Sequence, residues 1–227
     1  MADRERLKQL ACQYAAQEVR DGMVLGLGTG STVYYFLQEL GRMVREGLRI
    51  AGVPTSVQTA QRATQLAIPL TTLDDHPHLD LAVDGADEVD NQLNLVKGAG
   101  GALLREKIVA ASATRFLIVV DESKMVHQLG ERYSVPVEVV AFGHTLATCA
   151  LEGLGAQVTL RRGTDGQTWV SDNGNYILDC HFGPIADAVA LQQQLLAIPA
   201  VIDSGLFLGL ADTVLIGHAE GVRRLER

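Results

Sequence analysis

The sequence predicts an α/β fold: a mostly parallel sheet flanked by helices, with a smaller α+β domain inserted in the chain. Short apolar segments alternate with amphipathic helical segments as far as about residue 130. A glycine-rich turn joins the first apolar segment directly to a helix, and after residue 130 the pattern changes to shorter strands with hairpin-type turns. Strands that alternate with helices pair in parallel through crossover connections, so helices are expected on both faces of the sheet.

The first part of the chain alternates between helices and strands. Apolar residues at helical spacing predict an amphipathic helix over residues 3–20 that ends at Asp21-Gly22. Apolar runs predict the strands, and the periodic segments between them predict the other helices. The predicted strands are 23–25, 48–53, 68–73, 79–83 and 116–120, and the predicted helices are 33–40, 56–66 and 102–111.

Shorter strands, antiparallel in character, are predicted after residue 130. Asp172-Asn-Gly-Asn175 is a strong turn signal between two of them. The predicted strands are 136–140, 157–161, 168–171 and 176–179, and the predicted helices are 145–154 and 185–198. Two final strands, 204–208 and 213–216, are expected to return to the first domain. The predicted domain limits are 1–130 plus 205–227 for the main domain and 131–204 for the smaller one.

The composition limits the classes of function. The chain has 227 residues, of which 47% are hydrophobic, so a packed core is expected. The formal net charge of -8 disfavours nucleic acid and anionic membranes as partners, because both would repel the chain. Three widely spaced cysteines favour reduced thiols over disulfides or a cysteine-rich zinc site. The sequence shows no apolar signal core and no apolar run of membrane-spanning length, so we expect a cytoplasmic protein.

A phosphate site is the first candidate function, in the segment Gly26-Leu-Gly-Thr-Gly-Ser-Thr32. Glycines let backbone amides approach a ligand, and the helix that follows adds N–H donors and a dipole that favours anions. The segment lacks the third glycine of a dinucleotide-binding loop and the lysine of a P-loop, so it favours one small phosphate over a nucleotide. The alternative is a tight strand-to-helix turn with Ser31 or Thr32 as the N-cap.

Two aspartates follow the strand 79–83 in the segment Asp84-Gly-Ala-Asp87-Glu88. Ligands of open α/β sheets bind at the carboxyl ends of the strands, where these carboxylates can bond sugar hydroxyls or move protons. One alternative is that the aspartates cap the turn. The other is a divalent-metal site, for which the nearby sequence supplies no convincing further ligands.

A glycine loop followed by a charged helix is the third candidate, and it runs from Lys97-Gly-Ala-Gly-Gly101 to Glu106. Burial at the start of the helix would raise the pKa of Glu106 and make it a usable base near neutral pH, while Lys97 and the loop amides could stabilise an oxyanion. The alternative, at least as well supported by these residues alone, is an exposed helix face on which Glu106 pairs with a neighbouring Arg or Lys. Lys124 follows another predicted strand and either reaches a phosphate or is a solvated loop lysine.

Together and in this order, these segments resemble the ribose-5-phosphate isomerase A family over almost the whole chain. The matching segments are 26–32, 83–88, 97–107, 121–124, 136–139, 172–175 and 205–207. The resemblance implies a Rossmann-like main domain with an inserted α+β domain, a homodimer or homotetramer, and no metal or other cofactor. It also implies interconversion of D-ribose 5-phosphate and D-ribulose 5-phosphate in the non-oxidative pentose phosphate pathway, with a small sugar phosphate as the partner.

The resemblance also assigns roles to individual residues. Glu106 takes the position of the proton-transferring carboxylate, and Lys97, Asp84 and Asp87 are the other implied catalytic residues. The implied substrate-binding residues are Thr29, Gly30, Ser31, Thr32, Asp84, Gly85, Ala86, Asp87, Lys97, Gly98, Ala99, Gly100 and Lys124.

Three further positions bear on the match to the family. Lys8 matches a lysine near the family's N-terminus that helps to hold phosphate, although the motif around it is weak. Ala99 stands where the family often has glycine, and an alanine limits positive φ at that position. Leu104 stands where a small polar residue is common. Neither departure removes a charged group that the chemistry needs.

An aldose–ketose isomerase moves a proton between C1 and C2 of an open-chain sugar, and one base can do this through a cis-enediol(ate). We expect Glu106 to be that base, with Lys97 and nearby amides facing the charge on the carbonyl oxygen. Asp84 and Asp87 would orient the hydroxyls, and one of them would assist ring opening.

Rival functions exist on related folds and in another class. An amino-sugar phosphate deaminase-isomerase is expected to use a histidine in ring opening, and no such histidine is apparent in the sequence. A CoA transferase would recognise a much larger cofactor. A non-catalytic sugar-phosphate sensor needs no base and usually carries a DNA-binding segment, for which the acidic N-terminal segment leaves no room.

Overall fold

The structure is a computed structural model that describes residues 2–227, with side chains from residue 4 onward. In chain order the helices are α1 (Ala2–Ala16), α2 (Ser31–Arg45), α3 (Val57–Gln65), α4 (Leu103–Ser112), α5 (His144–Gly153) and α6 (Ala188–Leu196). The strands are β1 (Val24–Leu27), β2 (Ala51–Pro54), β3 (Leu81–Asp84), β4 (Glu88–Val89), β5 (Leu95–Val96), β6 (Phe116–Asp121), β7 (Val135–Val139), β8 (Gln157–Leu160), β9 (Tyr176–His181), β10 (Val201–Ser204), β11 (Leu206–Phe207), β12 (Thr213–His218) and β13 (Gly221–Glu226). None of the helices in this part of the chain combines the length and the apolar character needed to cross a membrane.

The chain divides into two compact units. The first contains the residues up to 86 together with 105–124 and 210–227, and the second contains 87–104 and 125–209. The second unit therefore takes in 87–104, 125–130 and 205–209 in addition to the predicted smaller domain. The predicted limits of 131 and 204, drawn from sequence pattern, remain a prediction.

A six-stranded sheet forms the centre of the first unit, in the order β13-β12-β6-β3-β1-β2. The strands from β12 to β2 are parallel, and β13 runs antiparallel to β12. All six residues of β6 are buried, as expected for a strand covered on both faces. This arrangement confirms the predicted α/β class with a mostly parallel sheet.

Helices cover both faces of this sheet. Leu25 and Leu27 of β1 belong to one buried cluster with apolar residues of α1 and α2. Gly26, which lies between them and faces the other way, is packed against Val109 of α4. The predicted helices on both faces are thereby confirmed.

The strand register brings three loops to one edge of the sheet. Leu27, the last residue of β1, is opposite Val83 of β3, and Asp84 is opposite Ile118 of β6. The strand β6 then continues to Asp121. The segments that follow β1, β3 and β6 therefore all leave the sheet at its carboxyl edge, where open α/β sheets bind ligands.

The second unit has an antiparallel four-stranded sheet in the order β10-β7-β9-β8 and a small sheet in the order β11-β5-β4. Its core contains Val137 and Leu178 from the larger sheet, Leu151 from α5 and Leu195 from α6. The side chain of Asp187 caps α6 by accepting a hydrogen bond from the Ala190 amide. An α+β unit after residue 130 was predicted, and the antiparallel sheet agrees with it.

Several predicted elements are wrong in detail. The first helix ends at Ala16 and not at residue 20, and 17–19 form a tighter turn in which each N–H bonds the carbonyl three residues back. Residues 68–73 form a single bridge, at Leu70, because Pro69 has no N–H to continue the pairing. Residues 168–171 are likewise reduced to isolated bridges at Thr168 and Val170. Strand β13 was not predicted.

Candidate active site

The carboxyl group of Asp84 lies against the glycine-rich loop in the first unit. Its Oδ1 atom accepts hydrogen bonds from the backbone amides of Gly85 at 2.7 Å and Thr29 at 3.2 Å. A Cβ atom built on Gly28 would stand 2.2 Å from Asp84 Cγ, so only glycine fits at this point of the loop. Asp84 is 3% exposed. The loop therefore fixes the orientation of a buried carboxylate at the carboxyl edge of the sheet.

A cluster of hydroxyl groups holds the loop from the other side. Thr29 Oγ1 lies 2.8 Å from Thr55 Oγ1, 2.8 Å from Ser56 Oγ and 3.1 Å from Thr59 Oγ1. Thr59 also donates to the Gly28 carbonyl at 2.8 Å, and Thr55 donates to the Leu27 carbonyl at 3.0 Å. The Thr29 hydroxyl, predicted to bind substrate, is therefore part of a network that sets the shape of the loop.

The start of α2 has the features of an anion site. Its N-cap is Gly30, and no described side chain caps the helix. The first N–H groups of a helix have no acceptor within the helix, and its dipole favours negative charge at this end. Ser31 is exposed and Thr32 is half-buried. These features favour the phosphate site over the alternative of an N-capped turn.

Lys8 adds a positive charge beside this helix end. Its Nζ atom lies 3.3 Å from Ser31 Oγ and 3.0 Å from Glu5 Oε1. The Tyr35 hydroxyl and, to a smaller extent, Lys8 donate hydrogen bonds to the Glu5 carboxylate, and both lower the pKa of Glu5. Cys12 lies beneath the same turn and donates to the Thr32 carbonyl, and burial raises the pKa of its thiol to about 12. The structure thus places Lys8 beside Ser31. In the sequence, only a weak motif indicates that Lys8 helps to hold phosphate.

Lys124 ends a short 3₁₀ turn, Glu122–Lys124, that directly follows β6. Asp121 accepts a hydrogen bond from the Ser123 amide at 3.0 Å and so holds the first residues of the turn. Lys124 is half-buried, which disfavours the alternative of a fully solvated loop lysine.

Glu106 lies in the first turn of α4 and is 4% exposed. The alternative of an exposed glutamate on a solvated helix face is therefore wrong. Its neighbours Arg105 and Lys107 are half-buried. A carboxylate withdrawn from water at the start of a helix has the setting expected of a general base.

In the second unit, Lys97 follows β5 and is 3% exposed. Its amide donates to the Gly205 carbonyl at 2.8 Å, and its Nζ atom lies 5.4 Å from the centre of the Phe207 ring. A Cβ atom on Gly205 would stand 2.1 Å from the Lys97 carbonyl oxygen. The segment Gly205-Leu-Phe207 therefore positions Lys97 through a close backbone approach and a cation–π contact. The sequence alone does not predict this role for Gly205 and Phe207.

The glycine loop after Lys97 is joined to Asp87. The Ala99 amide donates to Asp87 Oδ2 at 2.9 Å. Positive φ angles fall on Gly98, at 104°, and Gly101, at 78°, whereas Ala99 has none. Alanine at position 99 is thus compatible with the loop. The structure brings Asp87 and the loop together, as it brings Asp84 and the first glycine loop together.

Glu88 is fully buried and has a structural role. Its two carboxylate oxygens accept hydrogen bonds from the backbone amides of Gly130 at 2.6 Å, Arg132 at 2.6 Å and Tyr133 at 2.8 Å. Glu88 belongs to the segment of the two aspartates, but no local pattern indicates that it anchors a loop more than 40 residues away.

These features are those of an α/β enzyme that binds a small phosphorylated substrate: an open helix end after a glycine loop, and buried charged groups beside glycine-rich segments. Comparison with known proteins identifies the family. The family model of ribose 5-phosphate isomerase A (phosphoriboisomerase A) matches residues 51–221. The chain belongs to the ribose-5-phosphate isomerase A family.

Relatives match over the full length of the chain. The ribose-5-phosphate isomerase A of Synechococcus sp. (strain JA-3-3Ab) is 51% identical and is covered completely, as is this chain. The structure of ribose 5-phosphate isomerase A from Methanocaldococcus jannaschii is 42% identical, with a TM-score of 0.94 over 98% of this chain and 99% of that one. A D-ribose-5-phosphate isomerase in complex with phospho-erythronic acid is 42% identical, with a TM-score of 0.96 over 99% of both chains. These matches disfavour the deaminase, CoA transferase and sensor alternatives.

Proposed function

We propose that Glu106 is the base with which this chain interconverts D-ribose 5-phosphate and D-ribulose 5-phosphate. The observation that carries this assignment is the burial of Glu106 in the first turn of α4, in a chain that belongs to the ribose-5-phosphate isomerase A family. A glutamate with so little exposure is not a surface charge that merely keeps the protein hydrated. Proton transfer from carbon requires a base that is shielded from water.

The proposed reaction moves one proton on carbon and one on oxygen. The Glu106 carboxylate removes the proton from C2 of open-chain ribose 5-phosphate, and the carbonyl electrons move to O1, which gives a cis-enediolate. A proton then passes from O2 to O1, and Glu106 returns its proton to C1 as O2 becomes the carbonyl oxygen of ribulose 5-phosphate. The ammonium group of Lys97 and the amides of its glycine loop stabilise the negative oxygen in the intermediate.

The two aspartates orient the sugar hydroxyls in this proposal, and one of them assists ring opening. Their geometry supports the role, because backbone amides hold each carboxylate in place: Thr29 and Gly85 for Asp84, and Ala99 for Asp87. A fixed acceptor can distinguish hydroxyl positions on a sugar, which a mobile one cannot.

The phosphate of the substrate binds at the start of α2 in this proposal. The open N-terminus with Ser31 and Thr32 supplies hydrogen-bond donors, and Lys8 lies 3.3 Å from the Ser31 hydroxyl. Lys124 adds a second positive charge from the turn after β6. Binding energy at the phosphate positions the reacting end of the sugar without taking part in the chemistry.

The ligand of one relative supports the proposed intermediate. Phospho-erythronic acid, bound in the 42% identical isomerase, carries a phosphate and a planar carboxylate. A carboxylate resembles a cis-enediolate in its planarity, its two oxygens and its negative charge, so the compound is expected to bind this chain more tightly than the substrate does.

The test is a steady-state assay of both directions for the wild type and Glu106→Gln, with Glu152→Gln as the control because Glu152 is exposed on α5. Glu106→Gln should lower kcat by at least about a hundredfold and leave folding intact. Near-normal turnover in that variant would show that Glu106 is not the base. Activity of the wild type should be unchanged by a chelator, because no proposed step uses a metal.

We also propose that the protein is a cytoplasmic homodimer or homotetramer. Its cysteines Cys12, Cys149 and Cys180 are free thiols, which suits a reducing compartment. The second unit exposes Phe142 and Leu146 fully or largely to solvent, and exposed apolar side chains are typical of subunit contacts. Light scattering coupled to gel filtration measures the mass and would show a monomer if the proposal is wrong.

A further inference from the structure

We propose that Arg161 and Asp179 are positioning residues that hold the glycine loop after Lys97 in its catalytic shape. The inference rests on the role proposed above for Lys97 and its loop. Arg161 follows β8 and is 14% exposed, and Asp179 lies on the neighbouring strand β9. All the contacts described below lie within the second unit.

The guanidinium of Arg161 joins the two strands to the loop. Its Nε atom donates to Asp179 Oδ2 at 2.9 Å, and its Nη2 atom donates to Asp179 Oδ1. Its Nη1 atom donates to the carbonyl oxygens of Gly98 at 2.9 Å and Ala99 at 3.1 Å. Asp179 therefore fixes the plane of the guanidinium, and the guanidinium fixes two consecutive peptides of the loop.

These contacts determine where the loop amides point. The C=O and N–H of a planar trans peptide point in opposite directions, so a carbonyl held by Arg161 turns the next N–H away from it. The Ala99 amide does point away, and it donates to Asp87 Oδ2 at 2.9 Å. The Gly98–Ala99 peptide is thus held at both ends. The Gly100 amide must also point away from Arg161, because the Ala99 carbonyl is held in the same way.

The loop needs these contacts with Arg161 because its own residues restrict the backbone little. Three of its four residues, 98 and 100–101, are glycines, which restrict the backbone least. Residues 99 and 100 are exposed, so packing does not fix their peptides. Amides that stabilise an oxyanion must be oriented before the charge develops, since reorientation during the reaction would cost part of the stabilisation.

Trp169 holds the far end of the same loop. A Cβ atom on Gly101 would stand 2.6 Å from Trp169 Nε1, so the indole lies directly over this glycine. The Trp169 amide donates to the Arg161 carbonyl at 2.9 Å, which makes the two residues neighbours across a hairpin. One hairpin therefore contacts the loop at Gly98, Ala99 and Gly101.

The test compares Arg161→Met and Arg161→Lys with Arg162→Met. Arg162 is the matched control because it is the next residue in the same hairpin, is exposed, and bonds the Gly166 carbonyl instead of the loop. Arg161→Met should lower kcat about tenfold to a hundredfold and change KM less than about threefold. Arg161→Lys should fall between this variant and the wild type, because lysine keeps the charge but lacks the planar fork. Arg162→Met should have wild-type kcat.

A second measurement separates positioning from a general loss of structure. The inhibition constant of phospho-erythronic acid should rise in Arg161→Met by about the same factor as kcat falls, whereas inhibition by inorganic phosphate should be unchanged. Equal weakening of both inhibitors, or wild-type kcat in Arg161→Met, would overturn the inference. If Arg161→Met does not fold, Arg161→Lys is measured in the same way, and unfolding of both variants would overturn a positioning role.

A wrong base and a wrong positioning role give different patterns of activity in the variants. If Glu106→Gln keeps its turnover, the assignment of the base is wrong whatever the arginine variants show. If Glu106→Gln is inactive and Arg161→Met has wild-type kcat, the base stands and the inference about Arg161 and Asp179 alone is wrong.

Discussion

Gly28 and Asp84 are in such close contact that a side chain at position 28 would displace the Asp84 carboxyl group. The carboxyl carbon of Asp84 stands 2.2 Å from the place where a Cβ atom of residue 28 would be. The Asp84 carboxylate in turn accepts the amides of Thr29 and Gly85. The shape of the first glycine loop and the orientation of the Asp84 carboxylate therefore depend on each other.

Gly28→Ala should lower both stability and activity. The added methyl group must displace Asp84 or the loop, and overpacking of this kind costs about 1–3 kcal/mol of unfolding free energy. Urea unfolding measures that loss, and kcat/KM should fall with it. Gly153→Ala is the control, since a Cβ atom there meets nothing within 4 Å at the end of a helix. Equal stability of the two variants would contradict the close packing of Gly28 and Asp84.

Lys124→Ala should chiefly raise KM. A lysine that binds the phosphate as a point charge acts equally in the ground state and the transition state, so KM should rise about tenfold with kcat changed less than about threefold. Initial rates over a range of ribose 5-phosphate concentrations measure both constants. Arg223→Ala removes an exposed charge on β13 and should change neither. A large loss of kcat at unchanged KM would place Lys124 at the reacting carbons instead.

Glu88→Gln should destabilise the fold without a specific effect on catalysis. Glutamine replaces one of the two accepting oxygens with an NH₂ group, which leaves at least one of the three backbone amides without an acceptor. The free energy of unfolding should fall by at least about 2 kcal/mol, while KM of the folded enzyme stays constant. Glu226→Gln, at an exposed position, should change stability by less than about 1 kcal/mol. A rise in KM at unchanged stability would mean that Glu88 contacts substrate.

The three thiols should differ sharply in reactivity. Burial raises the pKa of Cys12 and of Cys180 from 9.0 to about 12, so both remain protonated at pH 8, whereas Cys149 is exposed. A thiol-reactive dye should modify about one group per native chain and three after unfolding. Cys149→Ser should abolish the native reaction. Because the folded state favours the protonated thiols, these two groups should also reduce stability as the pH rises from about 9 towards about 12.

The sequence was sufficient for the parts of the fold that depend on local pattern. The sequence predicts both the glycine turn after β1 and an aspartate at the end of β3, and the register places those strand ends side by side. Strand β13 was missed because its residues, Gly-Val-Arg-Arg-Leu-Glu, do not alternate cleanly between apolar and polar, as is common at a charged sheet edge. The apolar residues of 68–73 predict a strand, but Pro69 limits the pairing of this segment to one bridge.

The missed contributors to the site depend on contacts that are distant in the chain. Arg161 reaches the carbonyls of residues 98 and 99 from more than 60 positions away, and an isolated arginine carries no local signal. Glu88 caps amides at 130–133 in the same way. Gly205 and Phe207 had a signal, since they lie in a segment that resembles the family, but their contact with Lys97 needed the pairing of β11 with β5.

Trp169 makes the second glycine loop directly observable by spectroscopy. It is the single tryptophan of the chain, and its indole lies over Gly101. Light absorbed near the red edge of the protein spectrum excites this one side chain selectively, and its emission colour and lifetime depend on the atoms around the ring. Stopped-flow fluorescence of the unlabelled enzyme can therefore follow the loop during a single turnover, with no dye or engineered probe.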